Sequence, residues 1–107
     1  MVFLVHCLYR PGGAEARLAI RHAHIEHMLA WLPHTVFGAA MLDDDGATAR
    51  GMVVALDVAC AEDARRFVAG EPYCRAGLFE SIAVHPLVQM TPPYTPDVLL
   101  RELAAPR

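Results

Sequence analysis

The sequence predicts an α+β fold in which four antiparallel strands, met in the chain order βαββαβ, carry two helices on one face. Short apolar runs rich in β-forming residues alternate with two stretches of helical periodicity. Gly, Pro and Asp clusters stand at the junctions between them. The 107 residues suffice for one domain with a single modest core.

Val2 to Tyr9 is the first strand, an apolar run ended by the turn-forming Pro11-Gly12-Gly13. From about Ala14 to Leu32 helical periodicity continues without Gly or Pro, which predicts one long helix. Pro33 ends it, because the residue before a proline is pushed out of the helical region. Thr35–Leu42 and Gly51–Ala59 are apolar runs flanking Asp43-Asp44-Asp45-Gly46, a polar connection suited to an antiparallel hairpin and lacking the further oxygen ligands of a calcium loop. Ala61–Ala69 read as a second helix, amphipathic through Ala64, Phe67 and Val68 and closed by Gly70 and Pro72. Leu78–Gln89 supply the fourth strand. The order is that of the ferredoxin-like split βαβ, so one domain is expected over residues 1–90. Residues 91–107 read as a Pro-rich linker, Thr91 to Pro96, and a short C-terminal helix capped by Asp97, with Leu99, Leu100 and Leu103 on one apolar edge.

An apolar fraction of 55% and a mean hydropathy of +0.30 are high for so short a chain, yet no apolar run approaches the roughly 18 residues that cross a membrane. The surplus points to self-association through the sheet face that helices leave bare. A net charge of −3 argues against a nucleic-acid surface. The amino terminus has neither a basic leader nor a small-residue cleavage site, which predicts a cytoplasmic protein. Cys7, Cys60 and Cys74 are odd in number and share no Cys-x-x-Cys spacing, so neither disulfides nor a zinc knuckle is expected. The chain has no lysine, and its one serine, Ser81, lacks the Gly-x-Ser-x-Gly turn. Schiff-base chemistry and a serine triad are therefore excluded. No phosphate-cradling glycine motif is present, and no nucleotide cofactor is indicated.

Chemistry concentrates on the first helix. At about 100° per residue, Arg17, Arg21, His24 and Met28 fall within roughly one-sixth of its circumference. They lie beside a stripe of Leu18, Ile25, Leu29 and Leu32 expected to face the core. His24 is then an edge histidine, bonded to backbone or free for chemistry. His24 and His27 are spaced i,i+3, but His27 projects away from the stripe and His22 lies on its other flank, so no metal site is expected. His6 shares its side of the first strand with Val2 and Leu4, where it either lines a pocket or sits as a satisfied core histidine.

The run from Glu15 to Ile25, with Arg17, Arg21 and His24, followed by Glu71-Pro72-Tyr73-Cys74-Arg75-Ala76-Gly77-Leu78-Phe79-Glu80, resembles the YCII-related (YciI-like) family over Met1 to about Leu87. The resemblance implies a dimeric α+β barrel, in which two ferredoxin-like sheets pack face to face. It also implies a histidine and acid centre, in a family whose relatives isomerise lactones or dehalogenate hydroxylated aromatics. Carried over by position, the histidine is His24 and the neighbouring arginines are Arg17 and Arg21. The aspartate of the family's Asp-Pro-Tyr motif is Glu71 here, one methylene longer.

The expected function is that of a small cofactor-independent enzyme, a lyase or isomerase, acting as a homodimer on a small anionic or phenolic metabolite. An imidazole takes and returns protons near neutral pH, so His24 suits a general base, with Glu71 selecting its tautomer. Arg17 and Arg21 would bind an enolate, phenolate or carboxylate. Tyr73 and His6 complete the candidate substrate contacts, Tyr73 alternatively capping a helix end. The competing expectation is a non-catalytic ligand-binding or accessory domain on the same dimeric scaffold.

Overall fold

Strand β1 (Val2–Tyr9) runs through the middle of a sheet whose other members are β2 (Thr35–Leu42), β3 (Ala49–Asp57) and β4 (Phe79–Leu87). The computed structural model describes residues 1–90 and 95–106. The strands are antiparallel in the order β2-β3-β1-β4, the ferredoxin-like arrangement the sequence predicts. Two inner strands with apolar alternation, β1 and β3, supply most of the core. Phe3, Val5 and Cys7 point to one face of β1, and Val5 lies opposite both Val54 and Val84. At Gly51 a Cβ would stand 2.0 Å from the Cys7 carbonyl oxygen, so β1 and β3 cross there only because the residue is glycine.

The β2–β3 connection is held by the last of the three aspartates. Asp45 accepts hydrogen bonds from the backbone N–H groups of Ala47 and Thr48, both at 2.8 Å, and from the Thr48 hydroxyl. Gly46 supplies the left-handed residue, at φ +70°. Those donors hold the Asp45 carboxyl down at about 2, the Thr48 hydroxyl contributing most.

The first helical segment departs from the single helix expected over Ala14–Leu32. It is broken into α1 (Gly13–Ala16), a 3₁₀ turn (Arg17–Ile20), α2 (Arg21–Trp31) and a second 3₁₀ turn carrying Pro33 (Leu32–His34). The 3₁₀ turn leaves the relative phase of the side chains intact, since Leu18 within it stays on the same exposed face as Ile25, Leu29 and Leu32 beyond it. The stripe of Leu18, Ile25, Leu29 and Leu32, expected against the core, is exposed, Leu29 at 63%. The faces turned inward are those of His24, His27, Met28 and Trp31. Met28 and Trp31 pack on the core, and His27 donates from Nε2 to the Phe67 carbonyl at 2.9 Å.

Helix α3 (Ala61–Gly70) lies on the same side of the sheet and buries Ala64 and Phe67. Burying a side chain the size of Phe67 contributes about 1.5–3 kcal/mol. A one-turn helix, α4 (Pro72–Arg75), follows it directly and is absent from the sequence-based expectation. Helix α5 (Pro96–Ala104) begins one residue before the expected Asp97 cap, with Pro96 in its first turn. Its Leu99, Leu100 and Leu103 are exposed. The linker expected at residues 91–96 lies, for 91–94, outside the described residues. The face of the sheet away from the helices carries Leu4, His6, Phe37 and Val53, and Phe37 is 50% exposed.

Candidate active site

The junction Glu71-Pro72 builds the centre. Pro72 opens α4, where its missing N–H leaves no donor unmet, and Glu71 stands just before it as the capping residue. Its Oε2 accepts from the backbone N–H groups of Tyr73 at 3.0 Å and Cys74 at 3.2 Å. That leaves Oε1 to face α2, where His24 Nδ1 lies 2.6 Å away. The Glu71 side chain is 1% exposed and that of His24 15%. A buried carboxylate that already accepts from two amides can only accept from the ring as well. Nδ1 therefore carries a proton and Nε2 is the nitrogen left for a ligand.

The same short turn fixes the plane of the imidazole. The Tyr73 ring stacks on His24 with centroids 4.2 Å apart and planes 9° from parallel. Tyr9 meets Tyr73 edge to face at 6.3 Å and stacks on Phe79 at 5.2 Å. The Arg17 guanidinium sits 5.8 Å over the Tyr9 ring. Burial raises both phenols above their ordinary value, more than the opposing charge of Arg17 lowers them. Tyr9 and Tyr73 are accordingly neutral donors at physiological pH. Beneath them burial, and after it the Glu71 charge, pushes the Cys7 thiol up to about 12, which makes it an inert core residue and no nucleophile.

These groups end on a cleft of about 420 Å³ between the first helical segment and β2–β3. Arg17, Arg21, His24 and Met28 form one wall, and Tyr9 and Tyr73 the end. The seam read from helical periodicity thus faces the cleft. The structure brings together His24, Glu71, Arg17, Arg21 and Tyr73, with Glu71 behind His24. Arg21 makes no hydrogen bond or ion pair among the described residues, which leaves its charge available. His6 is elsewhere: its side chain is on the opposite face of the sheet, between Val53 and Ala83 in register, so it does not line this cleft. Tyr9 was not singled out by the sequence, since only its position at the end of β1 brings it to Tyr73.

A second concavity, of about 550 Å³, is larger but chemically quieter. Its charged groups pair with one another, the amino terminus with Asp57 at 3.2 Å and Arg66 with Asp63. Among the described residues no three His, Cys, Asp or Glu side chains are grouped to hold a metal ion. No described helix is long and apolar enough to cross a membrane.

Comparison with known proteins fits this geometry into a family. The family profile of the YCII-related domain matches residues 1–88. In fold the chain is similar to 5-chloro-2-hydroxyhydroquinone dehydrochlorinase of Burkholderia phenoliruptrix in complex with 2,5-dihydroxybenzoquinone. That similarity has a TM-score of 0.74 at 24% identity and covers 82% of this chain and 94% of that one. A protein from Bacteroides thetaiotaomicron assigned as an antibiotic biosynthesis monooxygenase is similar at TM-score 0.53 and 14% identity, over 89% of this chain and 93% of that one. No curated protein is significantly similar in sequence.

Proposed function

The chain belongs to the YCII-related domain family, and from that premise we propose that it is a small lyase in which His24 is the general base, acting on a small anionic or phenolic compound without a cofactor. The observation that carries the proposal is the 2.6 Å contact from His24 Nδ1 to a buried Glu71. It leaves Nε2 as the acceptor on the cleft side and places a negative charge behind the ring to stabilise the imidazolium that forms. In an elimination Nε2 takes a proton from the substrate, the electron pair of that bond moves into the substrate's π system, and the leaving group departs with its bonding pair as an anion. Arg21, with Arg17 behind it, stabilises the oxyanion that develops. A positioned base supplies about 10²–10⁴ of rate acceleration, so the arginines must contribute a comparable factor. The dehydrochlorinase with the same fold catalyses a reaction of this class.

The working unit we propose is a homodimer formed through the bare sheet face around Phe37. Three free cysteines suit a reducing compartment, the cytoplasm. The test is chloride release from a panel of chlorinated hydroxyhydroquinones and chlorophenols. Turnover by the wild type and its loss in a folded His24→Ala variant are expected. Equal turnover by the two proteins would remove His24 as the base. Binding of panel compounds with no chloride released would make the chain a ligand-binding domain.

A further inference from the structure

Two glycines stand on the strands that floor the cleft, and only one of them is demanded by the backbone. Gly51 is required, because a Cβ there would meet the Cys7 carbonyl. Gly38 is not. Its φ is not positive, and a Cβ built on it meets no atom closer than the Met28 methyl carbon, at 4.0 Å. It lies opposite Val54, and Ala40 opposite Met52, so both β2 positions look toward the helices, where strands ordinarily place branched or aromatic side chains. A glycine inside a strand marks a bulge, a close backbone or a ligand. The register shifts of β2 fall between Thr35 and Phe37 and between Met41 and Leu42, neither at Gly38 itself, and the nearest neighbour is a side-chain methyl at van der Waals distance on a flexible chain. A ligand remains.

We propose that Gly38 is the specificity-determining position of the site: the Gly38–Ala40 backbone is the floor on which a single planar ring lies flat, its acidic oxygens toward Arg21. This rests on the proposed function for the identity of the site. The chemistry of the walls selects the ligand class. The floor is peptide and methyl, and the thioether of Met28 rests on it, its methyl carbon 4.0 Å from a Cβ built on Gly38. That side chain is unbranched, must swing aside to admit a ring and then favours contact with the ring's edge or face, and the end carries two neutral phenols. Cation is confined to one edge, at Arg17 and Arg21. An aliphatic dianion would satisfy the arginines but leave the floor and the Met28 thioether unpaired, whereas a ring with apolar faces and an acidic edge meets both.

The probes are 2,5-dihydroxybenzoquinone, a planar ring with acidic oxygens, and malonate, a dianion without a ring, each titrated calorimetrically into the full chain. Gly38→Val fills the floor with a residue that suits a strand. It is expected to keep the melting temperature within about 3 °C, to weaken the ring probe at least about tenfold, and to leave malonate within about twofold. Arg21→Ala is expected to weaken both probes. Gly38→Ala, which adds only the Cβ that has room, should give a smaller loss on the ring probe and guards against misfolding of the valine variant. The proposal is overturned if the wild type does not bind the ring probe at millimolar concentration, if the folded Gly38 variants bind it as the wild type does, or if malonate is lost in step with it. Because binding is read without turnover, a slot that binds the ring but releases no chloride refutes the lyase and leaves the slot standing.

Discussion

Replacing Glu71 by glutamine separates the cap from the catalyst. The carboxylate makes three contacts: Oε2 accepts from two backbone N–H groups, and Oε1 faces His24 Nδ1 at 2.6 Å. Glutamine keeps the volume, and its amide oxygen can keep the two backbone donors. The opposite orientation would set an NH₂ against two N–H groups and is disfavoured. The amide NH₂ must then face Nδ1, and since it is a donor there, Nδ1 becomes the acceptor and the proton moves to Nε2. The residue that was a base on the cleft side becomes a hydrogen-bond donor. Exchanging charge-assisted bonds of about 1.5–3 kcal/mol for neutral ones of about 0.5–1.5 kcal/mol, partly offset by relaxation around the amide, gives an expected destabilisation of about 1–2 kcal/mol. For a domain of this size that is a fall of roughly 5–15 °C in Tm. Turnover is expected to fall by about 10²–10⁴. Glu71→Ala, by contrast, orphans both cap donors and the ring together and should cost about 3–5 kcal/mol. Imidazole ¹⁵N shifts from long-range proton–nitrogen correlation spectra report the tautomer directly, beside kcat on the chloride-release substrate. A Glu71→Gln protein whose neutral His24 still carries its proton on Nδ1, or whose kcat equals that of the wild type, would refute the reasoning.

At the far end of the sheet, Asp45 titrates at about 2 against an ordinary 3.8, so its contribution to stability is full above about pH 4 and is lost as pH falls toward 2. The Tm difference between wild type and Asp45→Ala should accordingly be constant from pH 7 to 5 and close between about pH 4 and 2, as thermal melts will show; a gap independent of pH throughout would contradict the assigned hydrogen bonds. Phe37→Glu, on the bare sheet face, should convert a species of about twice 11.7 kDa into the monomer in light scattering at micromolar concentration, and a wild type that is already monomeric would dispose of the dimer.

The strand order was legible because each strand is apolar, short and bounded by a breaker whose chemistry is unambiguous, as at Pro11-Gly12-Gly13 and Asp43-Asp44-Asp45-Gly46. The phase of the first helix and its 3₁₀ break were not. Periodicity locates an apolar stripe but does not say which solvent or partner it meets, and a 3₁₀ turn at Arg17–Ile20 leaves no mark in composition. Helix α4 was invisible for a related reason: four residues are too few for any period. Its signal was the pair Glu71-Pro72, a capping acid before a proline. The site divides along the same line. Arg17, Arg21 and His24 share a face and could be read together, whereas Glu71 is 47 residues from His24, so only resemblance to relatives joined them before the fold did.

The exposed leucines and the position of the site are two consequences of one rotation. Leu18, Leu29 and Leu32 are each at least 60% exposed, and full burial of such a side chain is worth about 1.5–3 kcal/mol. A helix packed only for the stability of an isolated chain would turn that stripe inward by about a quarter of its circumference. The turn would carry His24 away from Glu71 and remove Arg17 and Arg21 from the cleft, pressing the seam toward solvent. With the observed phase, the less apolar face meets the core through His24, His27, Met28 and Trp31, and the centre forms. The burial forfeited is that of the leucines less what Met28 and Trp31, which the rotation would expose, gain against the core. Such a deficit is sustainable where another surface covers the stripe. The helix phase and the bare face around Phe37 therefore support, from separate sides of the molecule, the assembly proposed above, with the cleft as what the arrangement preserves.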